Sequence, residues 1–423
     1  MRWRTRGRAL LLALAAMALT TSAWAQVELT FRFNDAEQKE LRAALDVFEQ
    51  ENPDIKVTLE RVAWADAREQ FLREAAVGEG PDVVHIAQVW ARSMGEAGVF
   101  IPLNELIEEH GLGAGWDDFV SADLATLDDG TISAVPWTID TFAMVYRKDI
   151  LEKAGITEFP TTWEDLREAS AEIKERTGAT GWAFPAGSAA TNSIWFFLNF
   201  YWWSHGWSLV DRAADGEYVV GITPEQMAEG FAYYKSYFDQ DLNPKGMLAI
   251  TNWGAQELIE GMVRGDMAII STPEFVLNQI EAAWAARYPD QPNPFASTIH
   301  PKESITFVGG RMLGINVNTE HPEEAYRLVQ YLIRWPIFAE YYPQWPAQTS
   351  LISRIERGPS HAGYPAQLLK ARSWGAYSTG PIAIPTMWNW VGRAAGSVFI
   401  GEKTPLEAAQ EIYDNITAEL AKQ

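Results

Sequence analysis

The side chains that could do chemistry narrow quickly to carboxylates. The chain contains no cysteine, which excludes thiol catalysis, Cys-ligated zinc, iron–sulfur clusters, disulfides and a lipid-modified N-terminal cysteine. Its six histidines are scattered, and no H-E-x-x-H, G-x-S-x-G or Walker A spacing occurs. Gly111-Leu112-Gly113-Ala114-Gly115 lacks both the spacing and the preceding strand of a dinucleotide fingerprint. No metal ion and no cofactor is called for. Two acids of any sequence separation can nevertheless flank a glycosidic bond. Glu37 and Asp140 are candidates for such a pair, whereas Asp117-Asp118 and Asp128-Asp129-Gly130 read as solvated loop and turn acids. A secreted glycoside-active enzyme using paired carboxylates is therefore one class to keep open.

Charge and composition limit the partners. The 423 residues carry 56 acidic against 34 basic side chains, a net charge of −22, and that repulsion disfavours nucleic acid or an anionic membrane surface as a partner. Aromatic residues make up 12% of the chain, 19 of them Trp, so flat apolar faces are in demand. The first 25 residues read as a signal peptide rather than as fold. Arg2, Arg4, Arg6 and Arg8 form a positive n-region, Ala9 to Leu19 is apolar but short for a membrane span, and Ala23-Trp24-Ala25 is an A-x-A cleavage site. The mature protein is expected to begin at Gln26, exported and free in the periplasm. The later aromatic run from Ile194 to Trp207 is interrupted by Asn199, Ser204 and His205 and does not read as a membrane span.

The elements that must hold any site follow an α/β pattern. Val27, Leu29, Phe31 and Phe33 alternate as in a strand, and Leu41, Ala44, Leu45 and Phe48 share one helical face. Ile55, Val57 and Leu59 form a second strand, a helix follows around Phe71 to Ala76, and Val83-Val84-His85-Ile86 reads as a buried parallel strand. Helix starts are signalled by Asp35 with Gln38 or Asn34 with Glu37, then by Thr162 with Asp165, Thr223-Pro224, Thr272-Pro273, and Thr404-Pro405 with Glu407. With no repeat and no long Gly/Ser linker, the alternation predicts two α/β lobes joined by short crossings.

Several blocks, in order, resemble one family. They are Phe48-Glu49-Gln50-Glu51-Asn52-Pro53-Asp54, Gly78-Glu79-Gly80-Pro81-Asp82-Val83-Val84, and Ala97-Gly98-Val99-Phe100-Ile101-Pro102-Leu103. Next come Ala134-Val135-Pro136-Trp137-Thr138-Ile139-Asp140-Thr141 with Tyr146-Arg147-Lys148-Asp149, Gly265-Asp266-Met267-Ala268, Gly309-Gly310-Arg311-Met312 and Thr404-Pro405-Leu406-Glu407. Together they are similar to the carbohydrate-binding extracellular solute-binding proteins of bacterial ABC importers, the maltose and trehalose/maltose binders. The resemblance implies a two-lobed periplasmic-binding-protein fold with a ligand cleft between the lobes and crossing hinge segments. It places residues 26–137 with 307–345 in the first lobe and 141–303 with 350–423 in the second, with hinges near 137–140, 304–307 and 346–349. It further implies a monomer that binds a carbohydrate ligand and hands it to membrane permease subunits, without catalysis.

The same resemblance marks site residues, each with a plainer alternative. Asn34, Asp35 and Glu37 follow the first strand, where Glu37 either contacts sugar or caps its helix. Asp140 at the first crossing is expected to accept two sugar hydroxyls, or else is a buried structural acid. Gln88 and Trp90 stand in for an acid that is Ala87 here, and Trp137 lies on the same crossing as Asp140. Asn192 and Trp195 fall where the second lobe's loop faces sugar. Thr272 stands where an Asn or Asp commonly precedes a Trp, at a helix start expected to point N–H groups toward the cleft, or else only caps a helix beginning at Pro273. Phe275 replaces the family aromatic there. Gly309 and Gly310 permit close approach to ligand or bend a strand, and Arg311 stands where a stacking Trp is found in the trehalose/maltose type. Trp345 lies on the preceding crossing loop, and Trp388 matches a late stacking Trp. An Arg common before Pro-Ile is Gly380 here, so Arg372 is the substitute. Glu37 and Asp140 against Arg311 favour a neutral sugar, oligosaccharide or glycoside, while Arg311 pairing with a uronate or sulfonate is the competing reading.

Overall fold

The computed structural model describes residues 26–34, 39–189, 192–302, 305–341 and 344–422. The expected signal peptide lies outside them, as do Asp35, Glu37 and Ser304. Strand β1 (Val27–Phe33) pairs in parallel with β2 (Ile55–Arg61) and β3 (Val83–Ala87). The helix Lys39–Glu51 between the first two strands buries Leu41, Ala44, Leu45 and Phe48, the face its periodicity predicts. The helix Trp64–Ala76 completes a βαβαβ opening. The remaining strands are β4 (Val135–Arg147), β5 (Thr180–Trp182), β6 (Ser208–Arg212), β7 (Tyr218–Gly221), β8 (Met267–Pro273), β9 (Phe295–Thr298), β10 (Val308–Ile315) and β11 (Trp345–Pro346).

One strand joins two sheets. The order is β2-β1-β3-β10-β4-β8-β5, with β9 and β11 also on β4 and β6-β7 as a separate hairpin. From Val135 to Thr141, β4 pairs with β10, and Thr138 and Ile139 also pair with β11. From Phe142 to Arg147 it pairs instead with β8 and β9. The change of partners between Thr141 and Phe142 divides the α/β chain into two lobes. There the Thr141 hydroxyl donates to the Phe307 carbonyl at 2.8 Å and lies 2.8 Å from the Thr306 hydroxyl, so the crossing strands are tied by side chains as well as by ladders.

Local signals formed most of the expected caps. Thr162 accepts from the Asp165 amide, and Thr223 and Thr404 form full capping boxes with Gln226 and Glu407. Thr272 is a correction. It is a buried β8 residue opposite Ala143, its carbonyl accepts from the Tyr364 hydroxyl at 3.1 Å, and the following helix runs Glu274–Arg287 with Pro273 as N-cap. The ladder and Tyr364 hold the Thr272 backbone in the strand, and its buried hydroxyl makes no cap bond to the helix among the described residues. The aromatic run forms the helix Ile194–Ser204, which is buried on every side. Among the described residues, no helix is long and apolar enough to cross a membrane.

The Glu274–Arg287 helix opens on a buried acid. The Glu274 carboxylate accepts from Trp345 Nε1 at 2.8 Å and His361 Nδ1 at 2.8 Å, and pairs with Arg357 Nη1 at 2.9 Å. The other ring nitrogen of His361 donates to Glu281 at 3.0 Å. Burial opposes the charge on His361, but the hydrogen bonds to Glu274 and Glu281 outweigh it and lift its pKa from 6.5 to about 9. A raised folded-state pKa stabilises the fold fully below the unfolded value of 6.5, and that stabilisation is lost as pH rises through about 9. His361→Gln is therefore expected to lower the melting temperature by about 2–4 °C near neutrality or below, and by much less at alkaline pH. Calorimetry on both sides of the folded-state pKa checks this, and equal losses at both would assign the stabilisation to packing instead.

Candidate functional site

Parallel strands β1, β2 and β3 open their carboxyl ends on one edge of the first lobe, where α/β sheets gather ligand loops. Asn34, after β1, is buried and uses its side-chain amide on the His85 carbonyl, while its backbone N–H reaches His85 Nδ1 at 3.3 Å. Gln88, after β3, is also buried and donates to the Val308 carbonyl of β10. Both bind strand ends together. Trp90 is half-buried, and its ring stacks on Trp64 with centroids 4.7 Å apart. The Arg311 guanidinium lies 4.4 Å from the centre of the Trp64 ring, a cation–π arrangement. His85 is wholly buried beneath this group, stacked on Phe33 at 4.6 Å. Burial first, then the charge of Arg311, push its pKa well below 6.5 and keep the imidazole neutral.

Trp64 was missed by the sequence reading. It is 37% exposed, the first residue of its helix, and it enters from the loop after β2. The available signal was positional, since that loop opens on the same edge as the loops after β1 and β3.

Asp140 sits at the pivot, half-buried, opposite Gly309 in the β4–β10 register. A Cβ on Gly309 would collide with the Asp140 carboxylate, and one on Gly310 would collide with the Thr138 carbonyl. The two glycines thus admit the acid and the neighbouring backbone, rather than bending the strand. Gly309 pairs with Asp140 and Arg311 with Thr138. Direct cross-strand partners share a face and positions two apart alternate back to it, so Asp140 and Arg311 project on the same side of the sheet. An acceptor and a donor are set side by side there.

The second lobe supplies an aromatic wall. Asn192 is buried, caps the Trp195 amide at 3.1 Å, and accepts from Trp388 Nε1 through its carbonyl at 2.7 Å. Trp195 is fully buried, stacks behind the half-buried Trp388 at 6.0 Å and packs at a tilt against Trp374 at 5.4 Å. Trp374 in turn stacks on Phe307 at 4.3 Å. An edge carbon of the Phe307 ring would lie 3.1 Å from a Cβ placed on Gly309. The segment from Phe307 to Arg311 therefore runs unbroken from the aromatic wall, past Asp140, to the Trp64–Trp90 pair.

Other expected site residues lie elsewhere. Trp137 is buried in the first lobe's core, packed edge-on to Phe31, Phe33 and His85, with its indole N–H donated to the Leu332 carbonyl at 3.1 Å. Trp345 is 2% exposed and committed to Glu274. The Arg372 guanidinium lies over Trp203 at 4.3 Å and donates to Ser208 at 2.9 Å. Phe275 is 52% exposed near the start of the Glu274 helix. Asp35 and Glu37 fall outside the described residues. Among the described residues, no group of three or more His, Asp or Glu side chains is arranged to hold a metal ion.

Comparison with known proteins bears on the family and the fold. The family profile described as "Bacterial extracellular solute-binding protein" matches residues 33–334. A Brucella abortus relative named as a binding protein is 25% identical over 294 residues, 68% of this chain and 66% of its own length. The alignment thus spans just under two thirds of that relative. The diacetylchitobiose binding protein DasA of Streptomyces coelicolor is 25% identical over 190 residues, 45% of this chain and 42% of its own. The solved structure of the sugar-binding protein MalE from Xanthomonas citri superposes with a TM-score of 0.78 at 18% identity, covering 94% of this chain and 98% of that one. That likeness establishes the two-lobed fold.

The contact between Gly309 and Asp140 yields a test that needs no ligand. Gly309→Ala is expected to destabilise the protein by about 1–3 kcal/mol through overpacking, and Asp140→Ala in the same chain should recover most of that loss. A double-mutant cycle by chemical denaturation measures the coupling. Additive losses would mean the two positions are not in contact.

Proposed function

This chain belongs to the bacterial extracellular solute-binding protein family, and from that membership we propose that it captures a carbohydrate between its lobes for delivery to the membrane subunits of an ABC importer. It is a binding protein rather than an enzyme, as its family and the relatives it matches are. The observation that carries the carbohydrate reading is the strip from Phe307 to Arg311. With Asp140 paired opposite Gly309, it sets a carboxylate and a guanidinium on one sheet face between aromatic groups of both lobes. A saccharide has a hydroxyl rim that exchanges hydrogen bonds with charged groups and C–H faces that pack on rings, and exclusion of water strengthens both contacts. The names of the DasA and MalE relatives, diacetylchitobiose-binding and sugar-binding, support the same ligand class.

In this reading the ligand is neutral. Asp140 accepts hydroxyls, Arg311 is held against Trp64 as an oriented donor, and Trp64, Trp90 and Trp388 supply stacking faces. The lobes are 26–137 with 307–345 and 141–303 with 350–423, hinged near 137–140, 304–307 and 346–349. The protein works as a periplasmic monomer, exported by a signal peptide cleaved before Gln26, and intact mass of the secreted product checks that cleavage. Ligand that contacts both lobes favours the closed arrangement because it binds that arrangement better than the open one.

The experiment is a thermal-shift screen over a sugar panel followed by calorimetric titration of the best neutral sugar. A ligand at 100 times its dissociation constant adds about 2.7 kcal/mol to stability, which such a screen detects. Asp140→Ala is expected to weaken binding by roughly 10- to 150-fold, the value of about 1.5–3 kcal/mol for a hydrogen bond to a charged group. Unchanged affinity would remove Asp140 from the site. Tighter binding of a matched 6-carboxylate or 6-sulfonate, lost in Arg311→Ala, would replace the neutral ligand with an anionic one.

A further inference from the structure

The third passage of the chain between lobes is fastened in an unusual way. Pro273, the last residue of β8, pairs with Phe142, and Trp345, the first residue of β11, pairs with Ile139. These two β4 positions flank Asp140 and Thr141, where β4 leaves one lobe's ladder for the other's. The Trp345 indole N–H spans the gap, donating at 2.8 Å to Glu274, the residue directly after β8. Beyond Trp345 the chain is held to the first lobe, where the Thr349 hydroxyl donates to the Asp118 carbonyl at 3.0 Å and the Ser350 amide to its carboxylate at 2.9 Å. Its continuation packs on the second lobe's own sheet, where the Gly363 amide donates to the Ser297 hydroxyl at 3.0 Å.

Along this passage Arg357 and His361 aim their donors at the same carboxylate as Trp345. The Arg357 guanidinium also lies 4.6 Å from the centre of the Trp345 ring, so the indole cannot turn from Glu274 without breaking that stack. Three donors spread over 345–361 thus converge on one acid of the second lobe, and that acid is 7% exposed. A carboxylate with three such partners has one well-defined position, and the segment they belong to is fixed with it.

We propose that Glu274 is a positioning residue for lobe closure: it fastens the third crossing segment to the second lobe and thereby sets how far the lobes rotate about β4. This rests on the reading of capture by closure given above. Its test uses ligand-free protein, so an error in the sugar class leaves the outcome unaffected.

The absence of native cysteine makes the measurement direct. Val77→Cys on the first lobe and Ile400→Cys on the second replace residues that are 70% and 60% exposed, and spin labels there report the interlobe distance by pulsed electron spin resonance. In the full mature chain, Glu274→Ala is expected to move the mean distance outside the width of the parent distribution. Trp345→Phe, which deletes the single indole donor, should shift it in the same direction. Glu274→Gln retains an oxygen acceptor for the indole and should shift it least. Removing one partner of a buried charge cluster can unfold a protein, and if Glu274→Ala does not fold, Trp345→Phe decides. Lowered melting temperatures with superposable distance distributions would overturn the proposal and leave Glu274 a stabilising residue only.

Discussion

Everything in this molecule depends on one strand serving two sheets. β4 is thirteen residues long and is paired along both edges at Thr138, Ile139 and from Met144 to Tyr146. A strand held on both edges cannot slide or stretch, because each shift would break several ladder bonds at once and a one-residue slip would turn every side chain to the wrong face. What it can do is twist where its partners change. Between Thr141 and Phe142 the ladder on one edge passes from β10 to β9, and on the other from β11 to β8. Rotation there disturbs few bonds, and the Thr141 and Thr306 hydroxyls can follow the motion while keeping hydrogen bonds. The closure proposed above would then be a hinge about this strand.

A hinge of this kind dictates where a site must lie. A group far from the axis meets the opposite lobe only in one arrangement, whereas a group on the axis belongs to both lobes at all times. Asp140 and the Val308–Arg311 segment are of the second sort, with the Trp64–Trp90 pair on one flank and Phe307, Trp374 and Trp388 on the other. A ligand seated on the axis then needs contacts from each flank to favour closure. In the function proposed above the aromatic groups supply these, and the acid and the guanidinium fix its orientation.

The sequence made the local parts of this legible. The βαβαβ opening could be read because buried parallel strands are continuous apolar runs and the helix between them carries a clean apolar face. Thr162, Thr223 and Thr404 were readable as caps because a cap is made with the residue three positions on. The same signature misled at Thr272, where the threonine and its proline close a strand and the threonine's backbone carbonyl accepts from Tyr364, 92 residues away. Glu274 was passed over for an equivalent reason. Its donors stand 71 and 87 residues away at Trp345 and His361, and no local spacing records them. Trp137, Asn34 and Gln88 sit where loops and crossings are expected. Whether such residues face a cleft or a neighbouring strand depends on packing that spacing does not encode.

The tryptophan excess has mainly a mechanical meaning. The second lobe's sheet is small, built from β5, β8, β9 and half of β4, so its helices must fill the core with large side chains. The helix Ile194–Ser204 does so with seven buried rings, among them Trp195, Trp202 and Trp203. The indole nitrogens of Trp182 and Trp195 are buried there without a hydrogen-bond partner among the described residues, which costs about 1–3 kcal/mol each. Burial of each large ring contributes a comparable or larger amount, at about 1.5–3 kcal/mol plus the edge-to-face contacts between neighbouring rings. Packing wins over polar satisfaction at these positions, and the outcome is a densely interlocked lobe with little freedom to deform internally. A rigid lobe transmits rotation about β4 without absorbing it, which is what the proposed closure requires.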